Sequence, residues 1–282
     1  MKKFLLVIFA IFFVGCVNTQ TAVVPLQESS FKIIKTSDKS EVSYDELVKD
    51  LLSAEIVLLG EEHGNPNHKI TEVMLLKSLQ EGFKNNGKRL DVAFEMIATQ
   101  EQKTLDSAKA KQDKISSSGL RKAINWDKSW KWEDYENLVN SAFYSQSRLL
   151  GANISRAEIS VIFSGAQPLK GFVSTTQKVK DGILMIIAGS HGVDLSVEGN
   201  KEELKSFVEV QQYKDRRMAD VLVHNDSPVM LVAGNVHVSK ELGVPLHIQD
   251  FKSPKKVLVV SMSISEVDIK SSEADYIFYY NK

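Results

Sequence analysis

Glu55-Ile56-Val57-Leu58-Leu59-Gly60 is a short unbroken apolar run that ends on glycine. A strand with one solvent face alternates polar and apolar residues. A run this uniform reads as a strand covered on both faces, as in a parallel sheet. Pro228-Val229-Met230-Leu231-Val232-Ala233-Gly234 repeats the pattern, and Leu90-Asp91-Val92-Ala93-Phe94, ending at Glu95-Met96, gives a third strand. Lys256–Met262 reads as another, Leu149–Ile154 as a further one, Phe31–Thr36 as an edge strand, and Tyr276–Tyr280 as a strand closing an edge.

Helical spacing lies between these runs. Tyr44–Ser53 follows Ser43, a natural N-cap. Asn67–Phe83 carries Ile70, Val73, Met74, Leu76 and Leu79 on one side. Thr99–Lys111, Ser118–Ile124, Asp134–Gln146 and Glu203–Val223 complete the helices. Strands alternating with helices predict an α/β fold, with a mainly parallel central sheet flanked by helices. Residues 155–205 are less regular. Gly182–Gly189 reads as a strand by composition, with a small helical insertion (about 157–205) as the other reading.

The first residues describe an exported chain. Met1-Lys2-Lys3 precedes an apolar run of eleven residues, Phe4–Val14, and then Gly15-Cys16. A bilayer-spanning helix needs about 20 apolar residues, so residues 1–15 read as a signal peptide. Cys16, the only cysteine, is placed to become a lipidated N-terminus, followed by a tether to residue 30 and one domain over 31–282. Val17 rather than Asp after the cysteine points to the outer membrane. The 35 basic residues, less Lys2 and Lys3, leave 33 against 36 acidic ones, a net charge of −3. That balance argues against a nucleic-acid partner. A chain with no second cysteine relies on its core rather than on disulfides.

Ligands of open α/β sheets bind outside the carboxyl ends of the strands. Three such ends are polar here: Gly60-Glu61-Glu62-His63-Gly64-Asn65-Pro66-Asn67-His68, Glu95, and Gly234-Asn235-Val236-His237. Glu61, His63, Glu95 and His237 are therefore expected to converge on one cleft. His63 and His68 lack the spacing of helical zinc ligands, and there is no HExxH. Trp126, Trp130 and Trp132, beside Lys128 and Lys131, could cover a flat anionic ligand or simply pack inside.

The same motifs, in order, resemble the ChaN-like family of haem-binding lipoproteins. Gly60-Glu61-x-His63 with Asn65-Pro66-x-His68 looks like its first motif, and Phe94-Glu95-Met96 like its second. Trp132-Glu133-Asp134-Tyr135 is similar to its Trp-x-x-Tyr segment, and Gln212-Tyr213-Lys214-Asp215 with Met218-Ala219 to its later helix. Ala233-Gly234-Asn235-x-His237 and Gly243-Val244-Pro245-Leu246 resemble its C-terminal signature. The resemblance implies a haem and iron uptake protein, with haem at the interface of a homodimer and a possible outer-membrane receptor as partner. It implies Tyr135 as the axial iron ligand, and Lys131, His68, Lys69 and His191 as candidates to meet the propionates. The strand-end constellation is also similar to that of erythromycin-esterase-like enzymes. That likeness implies a hydrolase in which His63 activates water, Glu61 orients it, and Glu95 or His237 assists.

Overall fold

A computed structural model describes residues 30–263 and 272–280. Residues 1–15, Cys16 and most of the tether therefore lie outside the described residues. No described helix is long and apolar enough to cross a membrane.

The strands are β1 (Phe31–Lys35), β2 (Ser40–Val42), β3 (Ile56–Glu61), β4 (Asp91–Ala98), β5 (Leu149–Asn153), β6 (Val229–Gly234), β7 (Val257–Ser263) and β8 (Tyr276–Tyr280). They form one eight-stranded sheet, ordered β2-β1-β8-β7-β3-β6-β4-β5. From β8 through β5 every neighbouring pair is parallel, and β1 is antiparallel to β8 and to β2. The α/β fold with a mainly parallel sheet is thus as the sequence predicts.

Two expectations about edges are corrected. β1 is flanked on both sides, and the edge is the three-residue β2. β8 is likewise interior, between β7 and β1. The short β2 covers β1 because the chain turns back at once through Lys39, which has a positive φ.

The uniform apolar runs have the expected cause. Val57 and Leu59 of β3 point into one core with Val92 and Phe94, while Ile56 and Leu58 point into another with Ala93 and Leu231. A strand buried on both faces needs apolar side chains at both parities. Helices α1 (Tyr44–Leu51), α2 (Pro66–Asn85) and α5 (Trp132–Phe143) pack on the first face. α8 (Asn200–Val223), α9 (Asn235–Val238) and α10 (Val244–Asp250) pack on the second. α3 (Gln102–Lys109) packs at the β5 edge, and α4 (Ser117–Ala123) packs against α3 and α5. Ser43 caps α1 in a reciprocal capping box with Glu46. Asn65 caps α2, ahead of Pro66.

The insertion is helical: α6 (Arg156–Phe163) and α7 (Gln177–His191) precede α8. The strand reading of Gly182–Gly189 is overturned. Val179, Ile183 and Ile187 recur every four residues and meet Leu204 and Val208 of α8 in a small core. Gly182 packs against the tip of Leu242, whose Cδ2 would lie 2.6 Å from a Cβ there.

Candidate functional site

The site is assembled from the ends of neighbouring strands. Glu61 closes β3, and His63 and Lys69 follow it across the loop into α2. Glu95 lies within β4, at a register shift between Phe94 and Ala98. The strand runs on to Ala98, past the expected end, and the irregularity accompanies the turn of Glu95 toward β6. Gly234 ends β6 and leads into α9, which carries His237. Gly60 admits that short helix: a Cβ would sit 2.4 Å from both Asn235 and Val238.

These side chains form two linked groups. In the first, the Tyr135 hydroxyl donates to Glu61 Oε1 at 2.6 Å. His63 Nδ1 is 2.7 Å from the same oxygen and 3.2 Å from the Tyr135 hydroxyl. The Lys69 ammonium pairs with Glu61 Oε2, reaches Glu72 at 3.1 Å, and lies 3.8 Å from the centre of the Tyr135 ring. In the second, Glu95 Oε2 accepts the Gly234 N–H at 2.8 Å, and Glu95 Oε1 is 3.3 Å from His237 Nε2. The other nitrogen of His237 meets Asp215 Oδ1 at 2.5 Å. His63 Nε2 stands 3.9 Å from Glu95 Oε2 and bridges the two groups electrostatically.

Burial would strip these groups of charge if they stood alone. It opposes the His237 charge, yet Glu95 and Asp215 win and hold the imidazolium up to about 10. Burial raises Glu95, but the charge and hydrogen bond of His237 bring it below the ordinary carboxylate range. Asp215 is raised by burial despite His237. Burial pushes Glu72 up to about 7 against the pull of Lys69. It lowers His63, with Glu95 opposing. A neutral His63 then keeps its proton on Nδ1, facing Glu61, and leaves Nε2 as an acceptor.

Glu61, His63, Glu95 and His237 thus do converge. The residues matched to haem contacts are scattered. Tyr135 is 2% exposed, enclosed by Trp126 at 5.7 Å and Trp130 at 6.0 Å between ring centres. Burial, then Glu72 and Glu95, raise its phenol. His68 is fully buried; its Nδ1 accepts the Glu62 N–H at 2.9 Å, so it meets no propionate in this arrangement. Lys69 is committed to Glu61 and Glu72. Lys131 is at the surface, paired with Asp134 at 3.1 Å. His191 is exposed in the last turn of α7, its ring 5.6 Å from that of Phe207. Among the described residues, no group of three or more His, Cys, Asp or Glu is arranged to hold a metal ion.

Sequence reasoning assigned no role to Glu72, Asp215 or Lys214. Glu72 is hidden among the apolar positions of α2. Asp215 sat in a quoted motif, but only the packing of α8 against α9 shows that it faces His237. Beside the floor opens a cleft of about 950 Å³, lined by Glu95, Trp126, Trp130, Ile154, Arg156 and Lys214 among others.

The family model for "Haem-binding uptake, Tiki superfamily, ChaN" matches residues 47–248. A solved structure described as cofacial heme binding to ChaN of Campylobacter jejuni is 48% identical, with a TM-score of 0.88, over 92% of this chain and 100% of that one. The type III effector HopBA1 is 15% identical over 84% of this chain and 92% of its own, at a TM-score of 0.42. An erythromycin esterase mutant in its open conformation is 12% identical over 82% and 77%, at 0.39. Neither of these two likenesses is strong enough to carry function. No curated protein matches the chain. The family model spans most of the sequence, and the chain belongs to the ChaN family of haem-binding uptake proteins in the Tiki superfamily.

Proposed function

We propose that this protein binds haem in the cell envelope, anchored through a lipidated Cys16, and serves haem and iron uptake. The observation that carries this reading is the 48% identical relative, aligned over its whole length and described as binding heme cofacially. The Lys2-Lys3 start, the apolar run and Gly15-Cys16 support the anchor.

The insertion is the part that suits a flat apolar ligand. Among the described residues, all the exposed large apolar side chains except Val236 lie within 161–207. Water-facing apolar groups in such number mark an interaction surface. Phe163 and Phe207 meet edge to face at 4.9 Å, with His191 beside Phe207. A tyrosine oxygen is an established axial ligand of haem iron. Tyr135, matched by sequence, is sealed beneath Trp130 with its hydroxyl on Glu61. Tyr213 is the only tyrosine of residues 155–225. Its hydroxyl lies at the surface, donating to the Gln167 carbonyl at 2.6 Å, an acceptor that water can replace. The geometry therefore favours Tyr213 on the iron and His191 on a propionate. Haem on this open surface would be covered by a second copy, which agrees with the cofacial heme binding of the Campylobacter jejuni relative.

Titration of ferric haem, read by absorbance and by sedimentation, tests the reading. Tyr213→Phe is expected to change the haem spectrum and weaken binding, and Tyr135→Phe to leave both unchanged. The reverse result returns the ligand to Tyr135, and no binding at all removes the haem reading.

One observation favours a second reading. His63 is 43% exposed, is oriented by Glu61 through Nδ1, and turns Nε2 toward Glu95, 3.9 Å from Oε2. An imidazole held this way can take a proton from water. A panel of esters with His63→Ala as control tests hydrolysis; activity lost in the variant would support an enzyme.

A further inference from the structure

The chain has seven methionines, and Met185 is placed unlike the rest. Met1 lies outside the described residues. Met96, Met218, Met230 and Met262 are at most 2% exposed, in the cores on the two faces of the sheet. Met74 is half-buried in α2 and engaged by a neighbour. Met185, on α7 of the insertion, is 67% exposed.

Helix geometry explains that exposure. Val179, Ile183 and Ile187 turn inward to α8. Met185 follows Ile183 by two residues, about 200° around the helix, and so faces the opposite way. On a helix the side chains that can screen a residue stand three and four positions away. For Met185 two of those four are glycines, Gly182 and Gly189, and a Cβ at Gly189 would meet nothing within 4 Å. Ile186 beside it is itself 39% exposed. A soluble oxidant thus reaches the Met185 thioether directly, whereas four of the other methionines are shut inside the cores.

We propose that Met185 is a reversible oxidation site, at which peroxide turns the outer side of α7 polar and loosens the pairing of two copies on haem. The sulfur lone pair attacks one oxygen of hydrogen peroxide and the O–O bond breaks. The departing hydroxide takes the proton of the transferred oxygen and leaves as water, so that sulfur is oxidised by two electrons and peroxide is reduced. The product is a sulfoxide, a polar group in place of an apolar one, which a methionine sulfoxide reductase returns to the thioether. Its oxygen holds water, and covering it without a donor has a cost that the thioether does not have. The effect on pairing rests on the reading of the insertion as the haem surface; the oxidation itself does not.

The test treats the full chain, free of haem, with dilute hydrogen peroxide, and removes the peroxide with catalase before any haem is added. Mass spectrometry of the peptides is expected to find one added oxygen on Met185 while Met96, Met218, Met230 and Met262 stay unchanged. Haem-driven pairing, read by sedimentation, should then weaken about tenfold and recover after sulfoxide reductase. Met185→Leu should pair like the untreated protein before and after peroxide. Oxidation of the core methionines as fast as Met185 would overturn the proposal. So would pairing unchanged by the sulfoxide, or pairing lost equally in peroxide-treated Met185→Leu, which would place the sensitive group elsewhere. Untreated protein that fails to pair on haem would overturn the haem reading and the effect on pairing together, and the peptide masses would still decide the site.

Discussion

The strand ends and the insertion solve opposite problems. At the strand ends, charge is buried and almost every polar atom is answered: Asp215, His237, Glu95, Glu61 and Lys69 lie in a chain of short contacts. In the insertion, apolar side chains face water while its own core is small. A buried ion cluster adds little net stability, but breaking it is costly. An exposed apolar surface adds nothing to folding and is available for binding. The two regions should therefore answer substitution in opposite ways, the first through stability and the second through ligand affinity.

The strongest way to break this contrast is His237→Ala. It strands Asp215 and Glu95 inside the protein, each fully desolvated, and the loss expected is roughly 3–5 kcal/mol. Urea unfolding followed by circular dichroism measures it. A loss no larger than that of an ordinary surface change would mean that water reaches the cluster and that the strand-end region is not a dry floor.

The pH dependence sharpens the same point. His237 is raised to about 10. Its contribution is complete below the unfolded value of about 6.5 and is lost as the pH rises toward 10. His68 has the opposite sign. Burial lowers it to about 4, so its contribution is complete above about 6.5 and is lost as the pH falls through 4. Stability measured across this range should peak near neutrality, and in His237→Ala the decline on the alkaline side should flatten.

Legibility in the sequence followed the same division. The sheet was readable because β3 and β6 are apolar at both parities, a pattern that few structures other than a doubly covered strand require. Glu61, His63, Glu95 and His237 were readable because strand ends in such sheets point their polar residues into one place. The edges were not, because Tyr276–Tyr280 looks the same whether it has one neighbour or two. Nor was the enclosure of Tyr135, which is set by the tryptophans packed over it. Asp215 and Glu72 were hidden because a helix bearing a charge at one buried position looks like an amphipathic helix with a blurred stripe. The helix α7 was obscured by two glycines, Gly182 and Gly189, the first of which packs against Leu242.

On the insertion side, Phe207→Ser is expected to weaken haem binding about tenfold. Covering a phenylalanine contributes about 1.5–3 kcal/mol, and 1.4 kcal/mol is a factor of ten. Spectral titration checks it. Unchanged affinity would move haem away from the Phe163–Phe207 pair.

The smallest effect is the most telling about the surface itself. Met185 is 67% exposed on α7, so Met185→Gln should change unfolding stability by no more than about 0.5 kcal/mol. A free chain gains nothing from a methionine in water. If the variant is destabilised well beyond that, and the effect grows with protein concentration, the side chain is covered in solution by a second copy before any ligand arrives. If stability is unchanged while haem-driven association weakens, the apolar face is open until the ligand closes it, which is the behaviour that separates it from the already satisfied floor of the sheet.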